Sequence, residues 1–251
     1  MEIKPPFSRP VKEYSVENYV FEDGKQILDN KFIWKYNHNR QIFEIYQYDS
    51  KIELYEVSYY NYNDDQKLKD ITIKVADGEQ KKQQAYEYSD DKLTQITEIA
   101  GDYNTVTKFD DYGNPSEKLT YTKTNILIST TVFINLYDQN GRLVEKHTIL
   151  PSGEADRIDK YLYSESGLLI EEHNARKQFI SIAKHNYNDK GDLVLSDFNP
   201  GEPNHEMLKR ELVYSKDNDI LEIREYRQGW CYQDHNDEFG LTGIALYSYI
   251  R

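Results

Sequence analysis

Apolar and polar residues alternate along most of the chain, and one short signal interrupts the alternation again and again. An aromatic residue is followed by a polar turn and then by an aliphatic residue six positions on. The clearest copy is Tyr137-Asp138-Gln139-Asn140-Gly141-Arg142-Leu143. Tyr163 to Leu169 and Tyr187 to Leu193 keep the aromatic, the glycine and the aliphatic. Tyr36 to Ile42, Tyr62 to Leu68 and Tyr214 to Ile220 are looser, and Tyr88 to Leu93 is one residue shorter. Phe109 to Pro115 puts proline in the aliphatic slot. The eight lead aromatics are spaced by 26, 26, 21, 28, 26, 24 and 27 residues, within the range that marks repeat architectures.

Each repeat reads as a hairpin. Two strands of about eight residues plus two turns fill about 25 residues. Ile126 to Leu136 is dense in β-branched residues, and no proline falls between Val11 and Asn114, as uninterrupted sheet requires. Asn140-Gly141 is a strong hairpin signal, because both positions can adopt positive φ. Arg40 and Gln66 stand in the glycine slot of early copies, so those turns are expected to differ. An even separation places the lead aromatic and the +6 aliphatic on one face. A second aromatic at Trp34, Tyr60, Tyr86 or Tyr161 joins them by the two-residue period.

The expected fold is therefore all-β: an antiparallel meander of about 16 strands, built from roughly 25-residue hairpins and curled or spiralled. It forms one domain over residues 1–251, with a terminal cap or arm at 1–30, repeats at 31–226 and a second cap at 227–251.

The motif Tyr137 to Leu143, with its echoes at Tyr163, Gly167, Leu169 and Tyr187, Gly191, Leu193, resembles the YD repeat of RHS-type proteins. The resemblance spans about residues 34 to 225. It implies a long antiparallel sheet that winds as a spiral, and an association with polymorphic toxins or with sugar binding. The autoprotease core and toxin tip of large RHS proteins have no counterpart here.

Composition narrows the function. With 23 Tyr and 9 Phe the chain is too aromatic to be disordered. A net charge of −13 excludes a phosphate-backbone ligand and disfavours anionic lipid, while suiting a basic partner. The single cysteine, Cys231, excludes an internal disulfide, and the N-terminal residues carry no apolar signal region, so a cytoplasmic location is expected. The six histidines show no metal-ligand spacing, and neither a cofactor nor a metal is expected.

Asp234-His235-Asn236-Asp237-Glu238 gathers three carboxylates and an imidazole and reads as a solvated acidic loop. Cys231 and His235 lack an orienting third group that would make them a nucleophile and base. The expected function is non-enzymatic protein binding, in its most concrete form an immunity protein neutralising a basic bacterial toxin. The candidate contacts are Trp230, Tyr232, Asp234, Asp237 and Glu238 of the C-terminal cap. A carbohydrate-binding repeat protein, using tyrosines such as Tyr59, Tyr60 or Tyr62, is the alternative.

Overall fold

The computed structural model describes residues 11–22, 25–176, 179–199, 206–217, 219–229 and 240–250. All regular structure is β. The strands are β1 (Glu13–Glu22), β2 (Lys25–Tyr36), β3 (Ile42–Tyr48), β4 (Leu54–Tyr62), β5 (Leu68–Val75) and β6 (Gln80–Ser89). They continue with β7 (Lys92–Ala100), β8 (Tyr103–Phe109), β9 (Pro115–Thr122), β10 (Leu127–Tyr137), β11 (Leu143–Ile149) and β12 (Ala155–Tyr163). The last six are β13 (Leu169–Arg176), β14 (Phe179–Tyr187), β15 (Leu193–Asn199), β16 (Glu206–Tyr214), β17 (Ile220–Gly229) and β18 (Gly240–Ile250).

Every strand pairs antiparallel with the next, and β18 pairs with β1 from Glu13↔Ile250 to Val20↔Gly243. The meander of hairpins is as the repeat predicts, but the sheet is a closed 18-stranded barrel, where the sequence predicts a curled or spiralled sheet of about 16 strands. The two additional strands lie in the terminal segments. A spiral leaves two rows of unpaired backbone groups at its edges, whereas closure pairs them with each other. Among the described residues, the seam holds a cluster of buried hydrophobic side chains. Val11, Tyr14, Val16 and Tyr36 form its core, flanked by Trp34, Ile42 and Ala245. Tyr14 stacks on Trp34 with ring centroids 4.6 Å apart and an interplanar angle of 3°.

The barrel is hollow. No two strands other than sheet neighbours bring Cα atoms within 8 Å in three or more residue pairs. Eighteen strands about 4.8 Å apart give a circumference of at least ~86 Å and a diameter near ~28 Å, far beyond the ~10 Å that facing side chains can fill. The accessible surface of 16416 Å² exceeds the roughly 11,600 Å² of a compact monomer of this size. No large side chain is fully buried among the described residues.

Exposure tells the two faces apart, because side chains converge inside a barrel and diverge outside it. In β10, Val132, Ile134 and Leu136 are 40%, 48% and 47% exposed, while Phe133, Asn135 and Tyr137 between them are half-buried. The lead aromatics therefore face the lumen.

The turns correct one local expectation. At Asp138–Arg142 only Gly141 takes positive φ, 75°. Gly141 N–H donates to Asp138 O, and the Asp138 carboxylate accepts N–H bonds from Asn140 and Arg142 at 2.9 Å each. This is a type I turn closed by one left-handed residue, with a bulge at Leu136/Tyr137. Arg40 (φ 63°) and Gln66 (φ 64°) adopt the same left-handed conformation, so the early turns match the later ones. Side chains hold them there. Asn37 Oδ1 accepts from Asn39 N and Gln41 N, and Asn63 Oδ1 accepts from Lys67 N. Among the described repeat turns, both positions take positive φ only at Asp90-Asp91, the shortened copy, where β6 turns directly into β7.

Candidate functional site

The described repeat turns lie along one rim, and in five copies the lead tyrosine ties its hairpin to the one before. Its partner across the turn is the +6 aliphatic, as in Tyr163↔Leu169. Its hydroxyl reaches back one repeat. Tyr62 donates to Ile42 O at 2.7 Å, Tyr163 to Leu143 O at 2.9 Å and Tyr187 to Leu169 O at 2.7 Å. Tyr137 donates to Asp110 and Tyr214 to Asp192. Burial, then the Asp110 carboxylate, pushes Tyr137 up to about 12, and burial raises Tyr36, Tyr86 and Tyr161 to about 12 as well. These aromatics serve the barrel wall. Tyr60 and Tyr62 face inward with them, whereas Tyr59 faces out under Lys74.

The outer wall carries an apolar row beside a charged one. Register aligns Ile134, His147, Ile158, Ala175 and Ile180 across β10–β14. Ile134 and Ile180 are 48% and 54% exposed. The adjacent row runs Leu136, Glu145, Lys160, His173 and Ile182. In it Glu145 accepts from Lys160 at 3.3 Å and contacts His147 at 2.5 Å. The two partners hold the Glu145 carboxyl below its ordinary range, His147 most strongly. Further round the wall, Lys35–Glu44 (3.2 Å), Lys31–Glu17 (2.9 Å) and Lys108–Glu117 (2.7 Å) pair across outward-facing positions.

The inner wall of β10–β13 forms a cleft of about 370 Å³. It is lined by Phe133, Lys146, Thr148, Asp156, Arg157, Asp159, Tyr161 and Arg176. Asp159 is buried and bound by Arg157 Nε at 2.5 Å, and Arg157 Nη2 also donates to Asn174 at 2.6 Å. Arg176 pairs with Asp156 at 3.1 Å. Lys146 Nζ lies 4.9 Å from the Phe133 ring centroid. Nearby, His185 bridges Ser196 at 2.9 Å and Glu172 at 3.2 Å, which ties β13, β14 and β15 together inside the barrel.

The sequence-expected contacts Trp230, Tyr232, Asp234, Asp237 and Glu238, with Cys231 and His235, lie outside the described residues. Among the described residues no group of three or more His, Cys, Asp or Glu side chains could hold a metal ion. Sequence reasoning missed both the outer row and the luminal cleft. The β-branched residues of β10 were visible as a strand. Which of them face water depends on which face is concave.

No protein-family model matches the chain, and a search of curated proteins finds no match. Solved structures do. A porin-like protein from Bacteroides uniformis superposes with a TM-score of 0.51 at 10% identity, covering 97% of this chain and 99% of that one. That likeness is one of fold. The Photorhabdus luminescens Tc holotoxin pore matches with a TM-score of 0.36 at 11% identity, over 83% of this chain and 15% of that one. A TcdB2–TccC3 structure matches with a TM-score of 0.30 at 10% identity, over 93% and 17%. The chain thus spans about a sixth of the two toxin chains.

Proposed function

We propose that this barrel is a non-enzymatic scaffold that binds another protein on its outer wall over β10–β14. The observation that carries the reading is the row Ile134, His147, Ile158, Ala175 and Ile180, apolar at four of its five positions, aligned in register and solvent-exposed at both ends. Exposed apolar rows rimmed by polar residues mark interaction sites. The charged row beside it supplies a rim that excludes water and fixes register. A chain of net charge −13 favours a basic partner and speeds its encounter. In its concrete form the partner is a basic toxin domain and the barrel its immunity protein, a version that rests on charge and on the YD-like repeat.

The porin-like fold raises the alternative of lipid contact. Lys35–Glu44, Lys31–Glu17, Lys108–Glu117 and Lys160–Glu145 face outward. A lysine on a lipid-facing wall costs roughly 2–4 kcal/mol at mid-bilayer, and a glutamate less. That pattern supports a wall in water.

Affinity capture from the native host tests the reading, with Ile134→Glu plus Ile180→Glu as the comparison. A stoichiometric basic partner held by the unaltered barrel and lost from the double variant is expected. Equal capture by both, or none by a well-folded barrel, overturns it.

A further inference from the structure

The cleft on the inner wall stands apart from the outer wall. Most luminal cations have a carboxylate at contact distance. Lys81 holds Glu56 at 2.7 Å, Lys82 holds Glu98 at 2.6 Å and Arg210 holds Glu225 at 2.8 Å. In the cleft Arg157 holds Asp159 and Arg176 holds Asp156. Lys146 differs. Its cross-strand neighbours are Asn135 and Asp159, and Asp159 already belongs to Arg157. Among the described residues, Lys146 has no carboxylate within ion-pair distance and rests against the Phe133 ring. The cleft therefore holds one more cation than carboxylate, in a chain that carries 44 acidic and 31 basic residues.

We infer that this cleft binds a ring-sized hydroxylated carboxylate, its anionic group on Lys146. Three features select that class. About 370 Å³ lies at the small end of ligand sites, enough for one or two rings. A single uncompensated cation matches one negative charge, since a multiply charged anion would meet the carboxylates of Asp156 and Asp159. Those same carboxylates, with the hydroxyls of Thr148 and Tyr161, accept hydrogen bonds from ligand hydroxyls. Phe133 and Tyr161 supply the apolar surface that a ring can cover.

The site can be tested by calorimetric titration of the full chain with glucuronate, with glucose and inorganic phosphate as the comparisons. Lys146→Gln removes the anion's partner. Lys108→Gln makes the same charge change on the outer wall, away from both the cleft and β10–β14. The expected result is binding of glucuronate well above glucose and phosphate, at least tenfold weaker in K146Q and unaltered in K108Q. Absence of glucuronate binding overturns the inference, as does equal binding of glucose. Phosphate binding that outcompetes glucuronate would replace the ligand class. An equal loss in both variants would assign the effect to overall charge and remove Lys146 from the site. Matching melting curves for the two variants ensure that a loss in K146Q is not unfolding. If K146Q does not fold, Lys146→Met removes the same charge in its place, and at least tenfold weaker glucuronate binding with unaltered stability is then required.

Discussion

The left-handed slot of the repeat turn makes a prediction whose sign changes from copy to copy. Gly167 has φ 86°, and a Cβ added there meets nothing within 4 Å. Gly167→Ala therefore incurs only the left-handed penalty, about 1–2 kcal/mol, less roughly 0.4–1 kcal/mol recovered from a stiffer unfolded chain. The net is about 1 kcal/mol of destabilisation. Gly141 (φ 75°) differs, since its Cβ would lie 3.1 Å from Tyr112 Cε1. Tyr112 stacks on Tyr137 at 4.1 Å. Moving that ring adds up to about 1 kcal/mol, for a total near 2. Arg40 already sits in the slot at φ 63° and is exposed, so Arg40→Gly runs the substitution in reverse and stabilises by about 1 kcal/mol. Urea unfolding reads all three. With a slope near 3 kcal/mol/M the midpoint falls by about 0.3 M for G167A and about 0.7 M for G141A, and rises by about 0.3 M for R40G. Equal losses at Gly141 and Gly167 would remove Tyr112 from the turn. A destabilised R40G would refute the shared turn geometry.

Three further outcomes follow from the inner wall. Tyr163→Phe loses the bond to Leu143 O and lowers stability by about 1 kcal/mol in urea, whereas Tyr59→Phe on the outer wall leaves the midpoint in place. Asp159→Asn strips the buried partner from Arg157 and costs about 1–3 kcal/mol, a range kept low because Arg157 is half exposed and can rehydrate. The raised tyrosines also set an alkaline limit. Their folded values near 12 lie above the ordinary 10, so the folded chain keeps its phenol protons where the unfolded chain sheds them. Thermal stability is therefore flat towards pH 10 and falls between about 10 and 12. A melting temperature unchanged across that window would sink the assignment.

Short-range physics is legible in the residues themselves. Alternation set the strands, because a two-residue period buries one face whatever the sheet does next. The side chains of Asn37, Asn63, Asp110 and Asp138 bond their own turns, so turn positions could be read locally. The even spacing from lead aromatic to aliphatic likewise placed Tyr163 opposite Leu169 before any fold was known. The type of turn was not legible, since Asn140-Gly141 suits two geometries and only the bulge at Tyr137 chooses between them.

Closure needed the tertiary structure. Val16 pairs with Tyr247 across more than two hundred residues, and no local pattern encodes whether the two ends of a curling sheet meet. Closure in turn decides which face is concave. With that decided, Ile134 and Ile180 face solvent while Lys146, Arg157 and Asp159 share one luminal cleft. The sequence alone determined what each strand could offer on its two faces, and the direction of curvature determined which face meets water.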